Sequence, residues 1–171
     1  MSRDSQRSKV YKAERVLGDG DIRLETVDEI TAYLNKLMNS AWYQRRWPNA
    51  TAIRVKDGRS RRRAGASRMP WGGEITMPVW SRNRYLVLHE LAHIVRPVKP
   101  DMSAHDRDFC KVYLELVKHG MGREAWEKLR TSFKAHRVKW IQRSSTRPKG
   151  IVPESLRVHA MNRAAGRRND G

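Results

Sequence analysis

The sequence predicts a small α+β domain, and three observations carry that prediction. Apolar residues recur at helical spacing in four segments, and two short segments read as strands placed between the first helix and the rest. The chain has 171 residues, enough for one domain with its own core. Its composition, 39% hydrophobic and 32% charged, fits a compact centre with solvated extensions. We therefore expect a domain over residues 1–140, with 1–8 flexible, and a basic flexible tail over 141–171.

Taken in order, "KVYKAERVL" (9–17) suits either a first strand or a short helix. In the next segment Thr26 and Glu29 form a capping-box signal. Ile30, Tyr33, Leu34, Leu37 and Met38 then repeat at helical spacing, and Pro48 ends the run. "TAIRV" (51–55) alternates like a strand, and the arginine-rich stretch between Gly58 and Gly65 reads as a loop or hairpin arm. "EITMP" (74–78) is a second short strand. Ser81 is placed to cap a helix through "RNRYLVLHELAHIV" that ends near Pro97. Ser103 and Asp106 repeat the capping geometry before "HDRDFCKVYLELVKHG", which Gly120 stops, and "REAWEKLRTSFKAH" forms a last helix.

The single cysteine, Cys110, excludes an internal disulfide and a cysteine-based zinc cluster, and it reads as buried packing. With no long apolar run and no apolar leader, we expect neither a membrane span nor a signal peptide, and a cytoplasmic location. Monomer is the default state. The net charge of +18 is unevenly spread: residues 42–70 hold nine Lys/Arg against one acid, and 137–171 nine against two. Such clusters attract polyanions by counterion release. Arg59, Arg61, Arg62, Arg63 and Arg68 are the candidate nucleic-acid contacts, together with the tail.

The chemistry concentrates at "LVLHELAHIV" (86–95). His89 and His93 are four apart on one helix face, so both imidazoles can reach one Zn²⁺ at about 2.0–2.1 Å. Glu90 stands beside that face, where its carboxylate reaches a metal-bound water more easily than the ion, the logic of H-E-x-x-H. Val87, Leu88, Leu91, Ile94 and Val95 make the rest of the helix a core element.

A catalytic zinc needs a third protein ligand. His105 is the candidate, because Phe109, Val112 and Leu116 follow it at helical spacing and aim it inward. Asp106, Asp108 and Glu115 are alternative oxygen ligands; Asp108 reads as solvated and Asp106 as a cap or a partner to a ligand histidine. His119, His136 and His159 receive no role. Tyr85 and Tyr113 are the guesses for an oxyanion donor, and "EITMP" for a strand that pairs with an extended peptide.

"VLHELAHIV", "AHDRDFCKVYLELV" and "MGREAWEKLR" resemble small zinc metallohydrolases of actinobacteria and their phages, which are in turn similar to the minimal metallopeptidase core of SprT-like proteins. The resemblance runs from "KVYKAE" through "WYQRRWP" and "GGEITMP" to about residue 136. Such proteins usually carry H-G-x-E-F in the second element. Here the histidine and phenylalanine match as His105 and Phe109, while Asp106 and Asp108 depart from the pattern.

The resemblance implies a zincin-like core, a short antiparallel sheet packed on the H-E-x-x-H helix, with zinc at His89, His93 and His105 and catalysis by Glu90. It also implies a peptide or protein substrate, with DNA-bound proteins as a class that would suit the basic stretches, and the host cytoplasm if the gene is phage-borne. The sequence thus leads to two expectations: a zinc-dependent metallopeptidase, or a nucleic-acid-binding protein whose metal site is structural or vestigial.

Overall fold

The computed structural model describes residues 4–50 and 52–140; the tail expected over 141–171 and His159 within it lie outside the described residues. The fold is α+β, with six α-helices and a three-stranded sheet among the described residues.

The ambiguous first segment is a helix, α1 (Arg7–Glu14), continued by a 3₁₀ turn over Arg15–Leu17. Residues 4–8 do not fit the flexible end expected of them. Gln6 is buried, its amide donating to the His105 and Lys139 carbonyls at 3.0 and 3.3 Å, and its side-chain oxygen accepts from the Lys139 amide. One glutamine thus joins the first helix, the third histidine and the last described residues.

The helix expected to run up to Pro48 is two helices, α2 (Val27–Met38) and α3 (Ala41–Arg46). Ser40 explains the break: its side chain accepts from the Tyr43 amide at 3.2 Å, offering the backbone a new N-cap in place of continuation. Thr26 caps α2 as expected, accepting from the Glu29 amide at 3.1 Å.

The strands are β1 (Ala52–Asp57), β2 (Gly65–Met69) and β3 (Gly72–Met77), in the order β1-β3-β2. The sheet is mixed where a purely antiparallel one was expected. β2 and β3 form a tight antiparallel hairpin, and β1 pairs parallel with the other side of β3. β1 comes close enough that a Cβ on Gly72, whose φ is +140°, would lie 2.1 Å from the Ala52 carbonyl oxygen. Because β3 is paired on both sides, the "EITMP" segment has no free edge for a peptide. The two outer edges belong to β1 and to β2, the second of which composition did not reveal.

The metal-motif helix is α4 (Arg84–Val95). Ser81 does not cap it; it sits in a 3₁₀ turn over Val79–Ser81 and bonds the Pro78 carbonyl at 2.9 Å. Asp21 serves that end instead, accepting from the Tyr85 amide at 3.3 Å and from Arg84 Nε at 2.8 Å. At the other end Arg96 is extended, as a residue before proline must be, and the helix stops.

α5 (Arg107–Gly120) and α6 (Arg123–Ala135) follow. α4 is the central layer, packed on β2 and β3 from one side and on α5 from the other; α6 packs on α5 and α1 on α6. Val87, Leu88, Leu91, Ile75, Met77, Phe109, Tyr113 and Leu116 are essentially fully buried at these junctions. No helix among the described residues is long and apolar enough to cross a membrane.

Candidate metal centre

His89 and His93 project from consecutive turns of α4, and His105 reaches them from the residue before the α5 cap. Asp106 makes that cap, accepting from the Phe109 amide at 2.9 Å, while Arg96 contacts the Ser103 carbonyl at 2.8 Å and Asp106 at 3.4 Å. His105 is thus fixed between a helix cap and a turn. The Nε2 atoms of His93 and His105 each lie 3.2 Å from Nε2 of His89, and the donor atoms of all three fall within 4.8 Å of one another.

That geometry suits one small cation. Bonds of about 2.0–2.1 Å in a tetrahedral site separate neighbouring nitrogens by about 3.3 Å. The far nitrogens are also arranged for it. His89 Nδ1 meets a Glu14 carboxylate oxygen at 2.7 Å, and His105 Nδ1 meets Asp4 at 2.6 Å. In neutral rings the Nδ1 protons then go to the carboxylates, and the Nε2 lone pairs face one another. Such an arrangement is repulsive unless a cation or a proton lies between them.

The electrostatics agree. Burial and the neighbouring His89 hold His93 and His105 below their ordinary pKa, so both are neutral donors at pH 7. Burial also opposes a charged His89, but the Glu14 carboxylate outweighs it and raises that pKa.

Aromatic rings fix the imidazole planes. Phe109 lies under all three, with ring centres 4.9, 4.4 and 4.8 Å from His89, His93 and His105. Tyr11 stacks on His89 at 5.4 Å and meets His105 edge-on at 5.3 Å. Glu90 is 8% exposed, and it lines a cleft of about 430 Å³ with His89, Tyr11, Tyr85 and Trp80. Burial raises its carboxyl pKa, opposed by His89 and helped by nearby Glu14.

The structure therefore brings together His89, His93 and His105, with Glu90 beside them. The alternative oxygen ligands are engaged elsewhere: Asp106 as a cap, Asp108 with Lys99, and Glu115 with Arg46 at 3.2 Å. Cys110 is fully buried, which pushes its thiol pKa up. His119 stacks on Trp42, and His136 bonds its own helix end. Of the two tyrosines guessed as donors, Tyr85 lines the cleft. Tyr113 is buried behind it, donating to the Tyr85 carbonyl at 3.2 Å.

Three site residues escaped sequence reasoning: Asp4, Tyr11 and Glu14. For Tyr11 and Glu14 the only signal was the spacing of Arg7, Tyr11, Glu14 and Arg15 along one face, which becomes visible once 7–14 is known to be helical; Asp4, ahead of that helix, had none.

The five candidate nucleic-acid arginines are not brought to one site. Arg59, Arg61, Arg62 and Arg63 are exposed on the β1–β2 loop, and Arg63 lines the Glu90 cleft. Arg68 caps α4 instead, donating through Nε and Nη2 to the His93 carbonyl at 3.1 and 3.0 Å. Among known proteins no family model matches the chain, no curated protein matches it, and no solved structure matches it.

Proposed function

We propose that the protein is a zinc-dependent hydrolase, and more specifically a metallopeptidase. The observation that carries the reading is the convergence of three imidazole Nε2 atoms, together with a buried glutamate that lines an open cleft with one of them, His89. His89, His93 and His105 would hold the ion, and their number leaves the open position that a catalytic site requires. When bound, zinc supplies Lewis acidity, activating water and polarising a carbonyl.

The protein's own part is orientation and proton transfer. Glu14 and Asp4 hold His89 and His105 in the tautomer that presents Nε2. Glu90, held partly away from water, accepts a proton from the attacking water and returns it to the leaving amine. The free outer edge of β2 gives an extended peptide a place to lie near this cleft, since Ala64, next to that strand, lines it. The reading accords with the resemblance to SprT-like cores and with action in the cytoplasm.

The test is Glu90→Gln, assayed with fluorescein-labelled casein and by elemental analysis. We expect about one zinc per chain in both proteins and a loss of hydrolysis of at least about 100-fold in the variant. Unchanged hydrolysis, or a wild-type chain that takes up no zinc, would sink the proposal.

A second reading is favoured by the exposed arginines of the β1–β2 loop: a nucleic-acid-binding protein with a structural metal. It predicts salt-sensitive binding of duplex DNA, lost when Arg59, Arg61 and Arg62 are neutralised, with no casein cleavage.

A further inference from the structure

We infer that the cleft selects peptides carrying a carboxylate close to the scissile bond, through Arg7, Arg15 and Arg63. The inference rests on the peptidase reading and adds a substrate class to it.

Arg7, Tyr11 and Arg15 follow one another at intervals of four along a single face, and all three line the Glu90 cleft. Two helical turns separate the two guanidinium-bearing positions, about 12 Å of rise, which an extended peptide covers in three or four residues. Tyr11 stands between them, stacked on His89, with the Arg7 guanidinium 5.6 Å from its ring centre. The two arginines thus flank the position where bond cleavage would occur.

Arg63 comes from the β1–β2 loop, and that loop is anchored. Trp80 Nε1 donates to the Arg61 carbonyl at 2.9 Å, and the Val79 amide donates to the Arg59 carbonyl at 3.2 Å. Trp80, 53% exposed, supplies an apolar surface in the same cleft.

Charge balance points the same way. Two acids line the cleft, Glu14 and Glu90. Glu14 is committed to His89, and Glu90 is the proposed base. Among the described residues Arg7, Arg15 and Arg63 form no ion pair, whereas Arg82, Arg84 and Arg96, which hold the fold together, are paired with Asp57, Asp21 and Asp106. Three uncompensated guanidinium groups around a narrow cleft favour an anionic ligand that fits inside it. A carboxylate on an extended peptide meets that requirement. A duplex is too wide to enter and would meet the outward-facing Arg59, Arg61 and Arg62.

The experiment uses the full chain loaded with zinc and a degenerate decapeptide mixture, with cleavage products sequenced by mass spectrometry. An exposed charge pair changes a rate by about 1.5- to 5-fold, so three should enrich Asp and Glu within three residues of the cut by at least about threefold over Asn and Gln. In the triple variant R7Q/R15Q/R63Q the enrichment should fall to parity with zinc content retained. Arg63→Glu should draw Lys and Arg into the positions it faces.

Cleavage by the wild type without acidic enrichment overturns the selection and leaves the peptidase reading intact. No cleavage of any peptide removes both. Enrichment that survives the triple variant overturns the assignment to these arginines. A fluorescent single-stranded DNA 20-mer is run in parallel: if the triple variant loses DNA binding and keeps its peptide preference, the cleft arginines serve phosphates and the proposal fails.

Discussion

Two carboxylates that touch no metal should decide how well this centre holds one. Glu14 is buried against His89, and Asp4 bonds His105 from a part-exposed position. Glu14→Gln should lower zinc affinity by about 10- to 100-fold, and Asp4→Asn by less, as measured by competition with a chromophoric chelator. Affinities equal to wild type would show that the imidazoles need no such orientation. The cluster of three histidines was legible in the sequence, because helical spacing fixes which residues share a face and an apolar row after His105 turns it inward. Their carboxylate partners were not. Glu14 and Asp4 are 75 and 101 positions from the histidines they bond, and only packing brings such residues together.

Among the elements, helices with a strong apolar stripe were readable, and those made by backbone pairing or by a small apolar contact were not. α1 buries little beyond Val10 and Ala13, so its pattern fitted a strand as well. β2 reads "GASRM", with no alternation to mark it; its strand character comes from the main chain of β3. The parallel β1–β3 pairing depends on Gly72, where a side chain would strike the Ala52 carbonyl. Gly72→Ala should therefore cost more than about 1 kcal/mol in urea unfolding. Asp106→Ala removes the α5 cap and should cost about 1 kcal/mol. Because His105 directly precedes that cap, the same variant should also bind zinc more weakly, which a cap acting on α5 alone would not produce.

For the molecule as a whole, the centre lies where α1, α4 and α5 meet, so an ion bound there ties three elements into one unit. Free zinc at a hundred times its Kd should stabilise the fold by about 2.7 kcal/mol. Chelation should then lower Tm by several degrees, roughly 5–11 °C for a domain of this size. A Tm that ignores chelator would mean that the three histidines hold no ion in the native state.

The Gln6 clamp gives this closure a direction in time. Asp4 is held at His105 by a stretch of chain that is itself fastened to Lys139. On a ribosome, all three histidines would emerge well before Lys139 does. The centre would therefore gain this last support only after the final helix has left the exit tunnel.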